Sequence, residues 1–291
     1  MAGLLSGLEQ LGLGDLEDLS VYEEAKAEEA KPEEEKNVKP TIREEEFLFD
    51  KTQVCPVCGI SFPEKTVRAG KARMIGSDID LRPKYEHIDM LKYDIISCPK
   101  CGYTALGRYF KNMSPAQADM IKRRISASYK PRKEKKAGSY TYEEALGRYK
   151  LALANAIVKQ SKNSERAYIC LRAGWLVRGM LENLDPSVPE YDKIKKDLTL
   201  QEDDFLKHSL EGFINARKSE SFPICGMDEA TLDYVVAATA MRFEQWEIGS
   251  KLCQAILISG SANPRIKDRT RDLQAEIRKR RHESMAGGKE A

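Results

Sequence analysis

Long apolar runs are missing from this 291-residue chain. No window approaches the roughly 18 to 20 uninterrupted apolar residues of a membrane-spanning helix, so no membrane association is expected. The first residues, MAGLLSGLEQLGLGDLEDL, are leucine-rich but acidic, without the basic stretch of an export signal. A cytoplasmic location is expected. An excess of one charge sign is missing as well, since 48 Lys and Arg face 46 Asp and Glu. A formal net charge of +2 excludes a globally electrostatic polyanion binder and leaves room only for local patches. Catalytic signatures are also lacking: there is no Walker loop, GxGxxG turn, HExxH helix or GxSxG elbow. None of the three histidines stands in a recognisable nucleophile setting. No catalytic residue and no organic cofactor site is assigned, and the chain reads as a non-enzyme.

What the chain does have is paired cysteine. Seven cysteines, in a chain too large to need disulfide staples, include two Cys-x-x-Cys pairs, which points to a metal site in a reducing compartment. Cys55-Pro-Val-Cys58-Gly and Cys98-Pro-Lys-Cys101-Gly are two copies of one pattern. Each turn lets two sulfurs face one ion, and the glycine after the second cysteine permits a left-handed backbone. Together Cys55, Cys58, Cys98 and Cys101 supply a tetrahedron of thiolates. One structural zinc ion is expected, because an all-sulfur tetrahedron suits it; a single iron, as in rubredoxin-like electron-transfer proteins, is the less favoured alternative. A closed four-sulfur shell has no open coordination position, so a structural metal is expected rather than a catalytic one. The other cysteines, Cys170, Cys225 and Cys253, read as small buried hydrophobes.

Thirty-nine residues separate Cys58 from Cys98, more than the roughly 15 to 20 of compact zinc ribbons, so the insert has to fold back. Its polar residues, Asp78, Asp80, Arg82 and Asp89 among them, read as a long solvated hairpin more readily than as a ligand pocket. His87 reads as a loop residue, since four thiolates already fill the tetrahedron.

Composition divides the rest. Residues 15–46 carry thirteen acidic and five basic side chains and few large apolar ones. Residues 1–46 are therefore expected to be a disordered leader and acidic tether, whose Leu4, Leu8 and Leu11 share one helical face but are weakened by glycines. Residues 47–129 are expected to form a four-cysteine zinc-ribbon-like module, with short β-prone runs at Phe47–Phe49, Tyr93–Ile96 and Tyr103–Leu106. A docking helix starts at the Ser114-Pro115 cap. A basic linker spans 130–139, helices fill 140–284, and 285–291 form a disordered tail. Helices are expected over 141–160, 164–184, about 191–219, 228–243, 245–259 and 264–282, separated by Pro and Gly breaks.

One spacing recurs in these helices. Tyr142, Ala145, Tyr149 and Ala152 are matched by Leu206, Ser209, Phe213 and Ala216, and by Trp246, Gly249, Cys253 and Ile256. Alternating large and small residues on one face let a neighbouring helix approach, as in tetratricopeptide repeats. The fold class expected is α+β, with a small zinc-ribbon-like β module followed by an all-α tetratricopeptide-like array.

The segments FLFDKTQVCPVCG, GSDIDLRPKYEHIDMLKYDIISCPKCGYTAL and SYTYEEALGRYKLALANAI resemble a bacterial family known as domain of unknown function 2225, over roughly Phe47 to Arg278. The resemblance implies a cytoplasmic protein with a zinc-ribbon-like front and tetratricopeptide-like helices behind, and no established activity. Abundant packing motifs without catalytic ones point to an adaptor for an unidentified protein partner. Basic stretches at Lys130–Lys136 and Arg265–Arg281 leave a zinc-ribbon nucleic-acid-binding regulator as the alternative.

Overall fold

The computed structural model describes residues 42–130 and 138–287. Six short strands come first: β1 (Leu48–Val54), β2 (Ser61–Val67), β3 (Met74–Ser77), β4 (Pro83–Tyr85), β5 (Ile95–Ser97) and β6 (Thr104–Leu106). They pair as three separate antiparallel hairpins, β1 with β2, β3 with β4, and β5 with β6. Two of these hairpins turn through a cysteine knuckle, which fixes their register: Val54 lies opposite Ser61 across the first, and Ser97 opposite Thr104 across the second. The third is the insert between them.

Helix α1 (Pro115–Ile121) follows, capped by a reciprocal pair in which Ser114 Oγ accepts from Gln117 N and the Gln117 side chain accepts from Ser114 N. It runs on into a wider π turn over Lys122–Ser126. Six longer helices come after: α2 (Tyr142–Val158), α3 (Asn163–Glu182), α4 (Tyr191–Ser219), α5 (Glu229–Arg242), α6 (Trp246–Ile258) and α7 (Pro264–Gly287). Most begin and end close to their expected limits; Thr141 caps α2, Asp228 caps α5 and Pro264 opens α7. The last helix continues into the stretch expected to be a tail, reaching Gly287.

Helices α2 to α7 pack in chain order, each on the next, and α5 also meets α7. The recurring spacing marks their buried faces: Ala145, Tyr149, Ala152, Leu206, Phe213, Ala216, Cys253 and Ile256 are all in the core. Small residues permit close approach as expected. A methyl group on Gly212 would stand 2.8 Å from Ala167 Cβ, which is why α3 and α4 touch along their length. At 29 residues α4 is too long for a regular short repeat.

Two expected boundaries are corrected. Glu44–Phe47 form a 3₁₀ turn within the fold, where Glu44 accepts a 3.0 Å hydrogen bond from Tyr93 Oη and pairs with Lys92, and Glu46 O accepts from Lys71 Nζ at 2.7 Å. The buried Lys92 ammonium needs an acidic partner, which draws the end of the acidic stretch into the structure. No break in packing separates the knuckle module from the helices: Leu91, Ile95 and Leu106 belong to the same buried cluster as Tyr149, Leu176 and Phe213. The leucine-rich tip, the tether through residue 41 and the linker core at 131–137 lie outside the described residues.

Candidate metal centre

Both knuckles have one backbone design. In the first, Gly59 N donates to Cys55 O at 2.9 Å and Cys55 N to Ile60 O at 2.9 Å; in the second, Gly102 N donates to Cys98 O at 3.1 Å and Cys98 N to Tyr103 O at 2.8 Å. Gly59 and Gly102 take φ of +74° and +72°, the left-handed region that closes such a turn. The amides of Val57 and Cys58 are aimed at the Cys55 sulfur, and those of Lys100 and Cys101 at Cys98. These N–H dipoles favour thiolates.

The fold brings all four expected sulfurs together. Cys55 and Cys101 are 3.6 Å apart, as are Cys58 and Cys98, and every sulfur lies within 4.8 Å of the others. A metal–sulfur bond of about 2.3 Å places tetrahedral sulfurs about 3.8 Å apart, so the set fits a four-coordinate ion. Cys55, Cys98 and Cys101 are buried and Cys58 half-buried. The thiols do not ionise independently: the adjoining Cys101 and Cys55 groups hold Cys98 far below the usual thiol range, while contact with Cys55 and Cys98 pushes Cys101 up. A divalent cation relieves this mutual repulsion by taking all four as thiolates, releasing protons as it binds. His87, a loop residue at φ +62°, is not part of the cluster.

The cage is braced from outside. Val57, Phe62, Tyr103, Phe110, Ala118 and Ile121 pack around the sulfurs, with the Tyr103 and Phe110 rings 5.0 Å apart. Tyr103 Oη donates to Phe110 O at 3.0 Å. From α2, Asn155 Nδ2 donates to Gly102 O at 3.1 Å, tying the second knuckle to the helices. A methyl on Gly102 would stand 2.5 Å from the Tyr129 ring, so this glycine also makes room for the chain leaving the π turn.

The insert departs from expectation. Asp80 and Arg82 are buried, not solvated, because they dock on α3. Arg178 donates to Asp80 Oδ1 at 3.0 Å and Oδ2 at 2.8 Å, to Asp78 Oδ2 at 3.0 Å and to Glu202 Oε1 at 2.7 Å. Trp175 Nε1 donates to Asp80 Oδ2 at 2.9 Å, and Arg82 Nη1 to Trp175 O at 3.2 Å. Burial opposes ionisation of Asp78, but bonds from Lys84 and Arg178 outweigh it and hold the carboxyl below its usual value. The buried Glu64 and the half-buried Asp94 likewise meet helix arginines, Arg148 and Arg172. Sequence spacing carries no signal for pairs this distant, although the quoted Asp80-Leu81-Arg82-Pro83 run contains the residues that make them.

A four-cysteine cluster on paired knuckles, docked on a sequential array of helices, defines a class of small β module with metal-binding capacity joined to an all-α partner. Within it, the chain belongs to the bacterial family described as "Uncharacterized protein conserved in bacteria (DUF2225)", whose family model matches residues 48–277. No curated protein and no solved structure matches the chain. No helix among the described residues is long and apolar enough to cross a membrane.

Proposed function

We propose that this protein is a non-catalytic cytoplasmic adaptor in which one zinc ion fixes the knuckle module against a tetratricopeptide-like array, and the array presents a surface to a protein partner. The observation that carries this reading is the closed sulfur cage, enclosed by side chains and braced by Asn155. A metal held that way orders backbone and leaves no corner for a substrate. Zinc is preferred to iron because an all-thiolate tetrahedron suits a redox-silent ion in a structural role. The leucine-rich tip on its acidic tether is assigned to a second partner.

Elemental analysis of the purified full-length chain tests the metal: one zinc per chain and no colour is expected, and a red, redox-active protein with one iron overturns the assignment. For the adaptor role, crosslinking in the native cell is compared between the wild type and variants at exposed apolar positions of the array, Ile157→Glu and Leu200→Glu, which are 54% and 58% exposed. Specific crosslinks that one variant loses while keeping its helical content support the role. Wild type and both variants recovering the same background proteins would refute it.

A further inference from the structure

The charges of the chain balance, yet they are not evenly spread. Between residues 42 and 130, twelve Lys and Arg are exposed against two Asp and two Glu, whereas residues 138–286 expose sixteen Lys and Arg against fifteen Asp and Glu. The cause is the docking just described. Glu64, Asp78, Asp80 and Asp94 turn inward to Arg148, Arg178 and Arg172 of the array, which leaves few acids among the module's exposed lysines and arginines.

Part of this surplus gathers at the second knuckle. Lys100 sits at the knuckle tip between Cys98 and Cys101. Ile121 and Ile125 pack on the cluster around the four sulfurs, so the exposed Lys122, Arg123 and Arg124 of the same turn lie on the module's surface beside that cluster. The Tyr129 ring lies against Gly102, which brings the exposed Lys130 to the same place. One exposed acid stands among these five cations, Asp119, 3.7 Å from Lys122.

We propose that this face, formed by Lys100, Lys122, Arg123, Arg124 and Lys130 around the second knuckle, binds the phosphodiester backbone of a nucleic acid. Three of the five are lysines, a residue depleted from protein–protein interfaces but well suited to phosphates, and two are arginines, whose fork grips phosphate oxygens in pairs. A membrane surface fits less well, because binding there needs apolar anchors beside the charge, and no exposed large hydrophobic side chain lies between residues 98 and 130. The metal cage gives the patch a rigid base, so its charges are positioned before the ligand arrives. The basic face does not rest on the array face assigned to a protein partner, and either can fail without the other.

The test is a fluorescence-anisotropy titration of the full-length, zinc-loaded chain with labelled single-stranded RNA, single-stranded DNA of the same sequence and duplex DNA, over a series of salt concentrations. Neutralising five phosphates predicts a slope of log affinity against log salt of about −3 to −5. The double variant Arg123→Glu, Arg124→Glu is expected to weaken binding at least ~10-fold and flatten the slope by about 2, with the circular dichroism unchanged. Arg278→Glu with Arg281→Glu, in the basic run of α7, is expected to bind as the wild type does. The RNA and DNA arms show which backbone is preferred. The proposal is overturned by no binding at low salt to any of the three, by undiminished binding in the Arg123, Arg124 variant, by loss confined to the α7 variant, or by capture on phosphatidylserine vesicles with no nucleic-acid affinity.

Discussion

The knuckle module and the helical array of one chain reach order by different means. Across the array a single buried cluster extends from Ala145 in α2 to Ile277 in α7, built from side chains three, four and seven residues apart. In the module only Leu91, Ile95 and Leu106 join that cluster, and the other buried apolar side chains form two small groups, one around the sulfurs and one around Phe47, Leu48, Ile88 and Tyr93. Three two-stranded hairpins cannot bury enough surface to hold themselves. On the proposed reading the module therefore depends on two outside supports, the ion its four cysteines can hold and arginines donated by the array. The lesson is that the weaker partner's acids are consumed by the contact, so its outer surface ends up basic in a chain with almost no net charge.

The largest break in that contrast comes from the metal. Stripping it with a strong chelator, or introducing Cys98→Ser, removes a term worth about 10 kcal/mol in small zinc modules. Hydrogen exchange is expected to accelerate sharply in β1, β2, β5 and β6 and modestly in α2, which shares Leu91, Ile95 and Leu106 with the module, while α5 to α7 stay protected. Uniform acceleration throughout, or none, would sink the distinction between the two regions.

Cutting the second support is a smaller step. Arg178→Met removes the cation held between Asp78, Asp80 and Glu202 and leaves carboxylates buried at the joint, at a cost of about 3 to 5 kcal/mol. Urea denaturation measures the loss, and exchange in the β3–β4 hairpin locates it. A variant as stable as the wild type would mean that the insert docks by shape alone.

The smallest effect sharpens the picture at acid pH. Burial raises the Asp89 carboxyl above its ordinary 3.8, against the Leu91 amide that bonds it. The native state thus holds this proton more tightly than the unfolded chain. Its contribution to stability is complete below 3.8 and is lost as the pH rises through the raised value. Asp89→Asn keeps an oxygen for the Leu91 amide but cannot ionise, so melting temperature should fall less steeply with rising pH in that window. Parallel curves for variant and wild type would show that Asp89 titrates as it does in the unfolded chain.

Much of this was legible along the chain. The Ser114-Pro115 start of α1, the Thr141 cap of α2 and the break before Pro264 are local features, set by a side chain and the backbone within four residues of it. The four cysteines were readable for a similar reason: a turn of fixed length brings two sulfurs to one side, and two copies complete a shell. Less legible were β2, β3 and β4, which lack a strong alternating pattern. The inward turn of Asp80 and Arg82 was misjudged because polar residues beside Gly and Pro look like solvated loop until a half-buried arginine and a tryptophan N–H about a hundred positions away are known.

By itself, then, the order of residues determined which segments are helical, which faces are apolar, and that two knuckles share one four-sulfur shell, since each depends on spacings of a few residues and on backbone stereochemistry. Only the tertiary structure decided that part of the module's core, Leu91, Ile95 and Leu106, merges with that of the array, that its acids are spent on the array's arginines, and that a basic face is left outside. Those outcomes depend on pairs of charges far apart in sequence, whose meeting is dictated by the packing of whole elements and by the cost of burying a charge alone.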